Sequence, residues 1–310
     1  MKSKIIKILI IGGTGFIGYH LSKRCLKNNW EVTSISTSKP KNDRLIKNVK
    51  YILCDISKKN LLKKKIKKNY DYVVNLGGYV DHSNKIKTFN SHYVGCKNLA
   101  DIFIKKKITT FVQMGSSLEN GNKNSPQTEA ALTKTSRLRT VYSNAKLKSS
   151  IYLSNMYKKK KFPVVIFRLY LAYGPGQSMN RFLPIIINGC LKNKTFPTSH
   201  GRQMRDFIYI DDVIEAIMKS LTIKNAVGKI LNLGTGKPQK LIKIINQIIK
   251  ICKGGKADFG KVLIRNDEIL NLYSNIRYTR SVLKWKPNTT FKKGLLKTIN
   301  FYVKKNERFS

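Results

Sequence analysis

Residues 6–21 read IKILIIGGTGFIGYHL, an isoleucine-rich run that ends in Gly12, Gly13, Gly15 and Gly18 and passes at once into a helical pattern. Glycines at such a point permit a tight turn and let backbone approach a pyrophosphate. They also let the next helix pack close to the strand, with its N–H groups and positive dipole end turned to the anion. A glycine motif alone is weak evidence. Placed between a first strand and a first helix, it predicts a dinucleotide cradle in which Gly12, Gly15, Phe16, Ile17 and Gly18 are the candidate contacts.

Working outward, apolar runs alternate with longer helical patterns: EVTSIS at 31–36, KYILCD at 50–55, YDYVVNLGG at 70–78, TTFVQMGSS at 109–117, FPVVIFRLY at 162–170 and KILNLGTG at 229–236. Strands apolar on both faces and separated by helices imply a parallel sheet covered on both sides, a doubly wound α/β fold. In RLYLAYGPGQ, Gly174, Pro175 and Gly176 interrupt the chain, and beyond them the alternation weakens. The expected organisation is a nucleotide-binding domain over 1–172 and a smaller substrate-binding domain over 173–310. Segments near 206–234, RDFIYIDD and LNLGTG, are expected to rejoin the first sheet.

The end of the second strand reports on the ribose. An acid about 20 residues after the glycine loop accepts hydrogen bonds from the 2′-hydroxyl of NAD. Ser36 stands at that place, with Lys39 and Lys41 just beyond, which favours a 2′-phosphate and hence NADP, while a serine also tolerates NAD. Asp55 in CDI, followed by Ile56, is a candidate for the adenine, or else a helix-capping aspartate. Leu76 and Gly77 in NLGG close the fourth strand, where glycine leaves room for a cofactor or simply makes a turn.

Charge is the unusual bulk property: 61 Lys+Arg oppose 16 Asp+Glu, for a net +45. Lysine runs such as LLKKKIKKN and YKKKKF fall where amphipathic helices end, so they read as solvated faces rather than a nucleic-acid surface. Arginine, the better reader of phosphate and guanine, is sparse. The five cysteines are far apart and form no CxxC pair, so no metal site is expected and a cytoplasmic setting is. The basic start followed by an apolar stretch resembles a signal peptide but lacks a small-residue cleavage site, and no run is long enough to span a bilayer.

YSNAK at 142–146 sets Tyr142 and Lys146 on one helix face, a spacing shared by Tyr19/Lys23, Tyr93/Lys97 and Tyr157/Lys161. Only the pair at 142 follows the fifth strand's GSS by a loop and opens the next helix, which brings it to the carboxyl edge of the sheet. There a phenol can give or take the proton that accompanies hydride transfer at a carbonyl carbon. Free tyrosine titrates near pH 10, so the Lys146 ammonium and an oxidised nicotinamide are expected to bring its pKa down.

The ordered set GGTGFIG, CDI, NLGG, MGSSLENG, YSNAK, FRLYLAYGPGQ, RDFIYIDD, LNLGTG and LKWKP resembles the extended short-chain dehydrogenase/reductases, the NAD(P)-dependent nucleotide-sugar epimerases, dehydratases and reductases built on a Rossmann fold. The resemblance covers nearly the whole chain. It implies catalytic Tyr142, Lys146 and Ser116, with Lys146 also on the nicotinamide ribose, and substrate contacts at Ser117, Asn180, Arg205 and Arg265. Tyr173 would lie near the site's mouth or in its packing. A homodimer through helices near 86–107 and 138–161 is implied by the same likeness.

Dehydratases of that family carry an acidic pair directly after the catalytic hydroxyl residue, where this chain has Ser117 and Leu118. Leucine transfers no proton, and Glu119 falls on the far side of an extended chain. Reduction of a 4-keto nucleotide sugar is therefore expected, with 4-epimerisation as the alternative. A third reading, from another class, is a non-catalytic dinucleotide-binding regulator that contacts a polyanion. Two positions depart from the family's pattern: His92 replaces an asparagine and Asn120 a tyrosine.

Overall fold

In the computed structural model, which describes residues 4–81, 83–129, 140–264 and 268–307, the glycine turn joins strand β1 (Lys7–Ile11) to helix α1 (Phe16–Lys27). Ile8 and Ile10 enter one apolar cluster with Leu21 and Cys25 of α1. Leu9 and Ile11 enter the other, with Leu62, Leu99 and Phe103. Burial on both faces is why the run lacks polar alternation.

Next come β2 (Glu31–Ser36), β3 (Val49–Leu53), α2 (Lys59–Lys65), β4 (Tyr72–Asn75), α3 (Lys85–Phe89), α4 (Gly95–Phe103), β5 (Thr110–Ser116), α5 (Val141–Lys160) and β6 (Val164–Leu169). Helices α3 and α4 form one rod interrupted by a π-helical turn, Asn90–Val94, a kind of irregularity that recurs at functional sites. The later chain forms β7 (Leu171–Tyr173), α6 (Phe182–Leu191), β8 (Thr195–Thr198), β9 (Met204–Arg205), β10 (Phe207–Tyr209), α7 (Ile210–Thr222) and β11 (Ile230–Leu233). It closes with β12 (Gln239–Lys240), α8 (Leu241–Cys252), β13 (Lys256–Phe259), β14 (Asn271–Leu272), α9 (Arg277–Leu283) and α10 (Phe291–Glu307).

The main sheet has seven strands in the order β11-β6-β5-β4-β1-β2-β3, every neighbouring pair parallel. The fold is therefore the doubly wound α/β sheet that the residues predict, accompanied by a smaller C-terminal region. Strand order reverses between β1 and β4, and the carboxyl ends on either side of that reversal border a crevice.

Two later segments behave differently from each other. LNL of LNLGTG is β11 and rejoins the main sheet beside β6, Ile230 opposite Ile166. RDFIYIDD does not rejoin it: β9 pairs with β12 and β14, and β10 pairs with β7. Between those short strands Asp206 is fully buried and accepts hydrogen bonds from Thr235, Gly236 and Ser274, so its side chain is turned into a turn-holding hub. Asp211 and Asp212 then favour a helix start, their charge complementing the amino end of α7. The cluster holding Ile8 continues through Ile187, Ile245 and Leu295, so the C-terminal region shares a core with the sheet. Among the described residues no helix is long and apolar enough to cross a membrane, and all five cysteines are free thiols.

Candidate active site

The glycines are locked by contact. Gly12 has φ +78° and its N–H donates to Ile35 O at 2.7 Å. A Cβ on Gly18 would lie 2.3 Å from Gly12 O, and one on Gly12 would lie 3.1 Å from the backbone of Gly77. The β1 turn, α1 and the end of β4 thus meet with no room for side chains. Helix α1 has Gly15 at its N-cap, no side-chain cap and no acid in its first turn, so its leading amides, including those of Phe16 and Ile17, are available to an anion. A dinucleotide pyrophosphate fits this donor set.

Around the cradle, Ser36 Oγ accepts the Thr14 N–H at 3.4 Å. Asp55 Oδ1 accepts from Ser57 N at 2.9 Å, a local turn, while Lys58 takes the N-cap of α2, so Asp55 is not the cap. Ile56 is wedged against Gly95, where a Cβ would approach its side chain to 2.5 Å. Leu76 N donates to Ile11 O at 3.0 Å and Gly77 N to Asn75 Oδ1 at 3.1 Å.

Ser116, Tyr142 and Lys146 come together at the carboxyl edge. Ser116 is the last residue of β5. Thr140 caps α5 through a reciprocal pair with Ser143, which fixes Tyr142 in the helix's first turn. The Ser116 side chain hydrogen-bonds the Tyr142 phenol, an influence that lowers the phenol's pKa, but burial is larger and pushes it up. The expected depression is therefore not seen in the cofactor-free protein, where burial outweighs the influences that favour the phenolate. Lys146 Nζ donates to Met114 O at 2.6 Å, and burial pushes its pKa down to about 8 against the raising influence of Glu119.

Spacing does not single this pair out. Lys146 Nζ lies 5.8 Å from the Tyr142 ring centroid, Lys23 lies 5.5 Å from Tyr19 and Lys161 lies 5.9 Å from Tyr157, while Lys97 sits over Tyr152 instead of Tyr93. Burial does: Lys146 is 5 % exposed, whereas Lys23, Lys97 and Lys161 face solvent.

His92, in the π turn, packs edge-on against Tyr142 with ring centroids 5.0 Å apart. Its Nε2 lies 3.2 Å from Tyr79 O, so that nitrogen carries the proton and ties the loop after β4 to the helix. Gly78 makes this possible, since a Cβ there would lie 1.9 Å from His92 Cε1.

Behind Ser116 lies a polar core that sequence reasoning did not find. Residues 117–120 form a 3₁₀ turn rather than an extended chain. Ser117, its first residue, is buried, and Glu119, fully buried, accepts from Ser116 N at 2.8 Å and Ser150 Oγ at 2.7 Å and pairs with Arg168 at 3.4 Å. Arg168 Nη1 donates to Asn120 Oδ1, and Asn120 Nδ2 donates to Gln127. Burial raises the Glu119 pKa and Arg168 opposes it. A Cβ on Gly115 would lie 2.3 Å from Glu119 Oε1, so the glycine before the serine makes space for that carboxylate. Glu119, expected on the far side of an extended chain, instead lies in a tight turn that folds its carboxylate inward behind Ser116.

The C-terminal candidates are less gathered. Asn180 is exposed just before α6. Arg205 is 8 % exposed and engaged by Glu268 and by the carbonyls of Met204 and Leu270 at 2.9 and 3.1 Å. Arg265 lies outside the described residues. Tyr173 belongs to the packing: it is 1 % exposed and donates to Phe291 O at 3.3 Å. Arg44 was missed. It lies in a 3₁₀ turn between β2 and β3, donating to Thr14 O at 3.3 Å and Gly176 O at 2.6 Å. An arginine amid lysines after the second strand was the available signal.

Residues 8–234 match the model of the NAD-dependent epimerase/dehydratase family. The chain is 30% identical over 272 residues to the dTDP-D-glucose 4,6-dehydratase of Dictyostelium discoideum, covering 80% of this chain and 62% of that one. It is 25% identical to the CDP-abequose synthase of Salmonella typhimurium, covering 93% of this chain and 95% of that one. The UDP-glucose 4-epimerase of Thermotoga maritima, solved with UDP-glucose, superposes with a TM-score of 0.89 at 19% identity, covering 97% of this chain and 100% of that one. Matched over most of its length, the chain belongs to the NAD-dependent epimerase/dehydratase family of extended short-chain dehydrogenase/reductases.

Proposed function

We propose that this protein is an NADP-dependent oxidoreductase acting at C4 of a nucleotide-activated sugar, in the direction of 4-keto reduction. The observation that carries the reading is a buried Lys146 beside Tyr142 and Ser116 at the carboxyl end of β5, with no acid at Ser117 or Leu118 and Glu119 folded inward. Elimination across C5 and C6 needs a base and an acid on the substrate side, and these places supply neither.

Tyr142 donates the proton. Burial holds its pKa above the ordinary value, so the phenol stays protonated near neutrality, which suits an acid giving its proton to a carbonyl oxygen. Ser116 hydrogen-bonds that same oxygen, and Lys146 holds the nicotinamide ribose while its charge steadies the phenolate left behind. Bound NADPH would supply the hydride. Gly12, Gly15, Phe16, Ile17, Gly18 and Gly77 hold the pyrophosphate, with Ser36, Asp55, Ile56 and Leu76 around the adenosine. His92 keeps the loop after β4 against Tyr142. Ser117, Asn180, Arg205 and Arg265 are assigned to the nucleotide sugar. For Arg205 this requires exchanging Glu268 for a phosphate, a bidentate partner the guanidinium suits. The free cysteines support a reducing compartment, and a homodimer through α3, α4 and α5 belongs to the same proposal.

The test is a screen of NADPH oxidation against 4-keto nucleotide sugars, beside an epimerase assay of the NAD-loaded protein. Stoichiometric NADPH consumption is expected. Interconversion of C4 epimers with no net cofactor use would replace the reductase by the epimerase. Steep salt-dependent binding of RNA, with no turnover in either assay, would favour the regulator.

A further inference from the structure

The segment between β2 and β3, residues 37–48, carries one acid, Asp43, and four cations, Lys39, Lys41, Arg44 and Lys47. Asp43 is tied to Lys305 at 2.9 Å, so it does not replace the carboxylate missing at Ser36. Lys39 and Lys41 are exposed, whereas Arg44 is half-buried and geometrically fixed. Its Nη1 holds the carbonyl of Thr14, the residue whose N–H is bonded to Ser36 Oγ at 3.4 Å. The guanidinium therefore sits between the glycine loop and the end of β2, where the adenosine ribose of a dinucleotide rests in this fold.

The other arm of the fork reaches Gly176 O. On either side of that glycine, Pro175 O lies 3.0 Å from His20 Nε2 of α1, and Gln177 O accepts from Tyr302 of α10 at 2.5 Å. Arg44 thus joins the glycine loop and the segment after β2 to the 174–177 turn, which α1 and α10 hold in their turn through His20 and Tyr302.

We propose that Arg44, and not Lys39 or Lys41, reads the 2′ substituent of the adenosine ribose, binding a 2′-phosphate while it fastens the 174–177 turn to the glycine loop. This rests on the NADP reading. It differs from a general basic field because a planar guanidinium has five N–H donors in a fixed plane and can serve a phosphate and a carbonyl at once.

Isothermal titration calorimetry with NADP⁺ and with NAD⁺, which differ only in that phosphate, tests it on the full chain. The wild type is expected to favour NADP⁺ by roughly tenfold or more, the worth of one charge-assisted contact. Arg44→Ala should bring the ratio near unity, since whatever a loosened glycine loop costs both cofactors cancels in that ratio, and an unchanged far-UV circular dichroism spectrum shows that the variant is folded. Arg44→Lys should keep part of the preference, and the Lys39→Ala/Lys41→Ala double variant should keep most of it. Arg44 is wrongly assigned if the preference survives Arg44→Ala, or if that variant weakens both cofactors equally. A wild type that favours NAD⁺ overturns the NADP reading itself, whatever the variants do.

Discussion

Helix α5 carries the same Tyr-x-x-x-Lys pattern at both ends, Tyr142/Lys146 near its start and Tyr157/Lys161 at its finish, with ammonium-to-ring distances of 5.8 and 5.9 Å. The pair geometry is thus a property of helical spacing and carries no function by itself. Their surroundings differ. The first pair sits beside Ser116 with a buried lysine. At the other end Lys161 is exposed and left-handed at φ +55°, and Tyr157 packs where a Cβ on Gly228 would approach it to 2.2 Å. Lys158, Lys159 and Lys160 there complement the negative end of the helix dipole. What sets the first pair apart from the second is desolvation and a neighbouring strand end.

The largest expected contrast is in turnover. Tyr142→Phe should lower kcat by about 10²- to 10⁴-fold with cofactor affinity nearly unchanged, while Tyr157→Phe stays within about twofold, by steady-state kinetics with the substrate found in the screen. Equal losses at both ends would dissolve the distinction.

A smaller contrast lies in stability. Lys146→Met removes a desolvated charge, and Met114 O keeps the Gln113 amide at 3.2 Å, so the variant should melt higher by roughly 2–6 °C while losing activity. Lys161→Met should move neither quantity. The sign with pH follows from the lysine's pKa, which falls from the ordinary 10.5 to about 8. Between those values the folded chain holds fewer protons than the unfolded chain, so this group makes folding more favourable as pH rises through the window, and its charged form opposes folding below it. The melting gap between wild type and Lys146→Met should therefore narrow from about pH 7 to about pH 9.5. A constant gap would mean that the lysine's charge is not what opposes folding.

The smallest effect belongs to the cap. Lys161→Gly should stabilise by about 1 kcal/mol in urea unfolding, since glycine adopts the left-handed conformation without the Cβ cost. No gain would show that the lysine's own contacts offset that strain.

What the sequence disclosed were local features: strands buried on both faces, glycines between a strand and a helix, and a helix face carrying Tyr142 and Lys146. What it hid were contacts between distant segments. Glu119 meets Arg168 across 49 positions and Arg44 meets Gly176 across 132, and no periodicity encodes such partners. RDFIYIDD misled for a related reason, because its apolar run reads as one strand until Asp206 finds Thr235, Gly236 and Ser274. The direction of Lys146 was equally hidden, since the Met114 carbonyl it meets lies on another element 32 residues away.

The π turn at Asn90–Val94 has a consequence for how its rod is wound. One surplus residue shifts the helical phase by about 100°. The half before it, α3, can therefore lie along α5, while the half after it sends Cys96, Leu99 and Phe103 under the sheet. Excising a single residue from that turn would restore regular winding and swing α3 off its neighbour, withdrawing the imidazole from the phenol without altering either side chain.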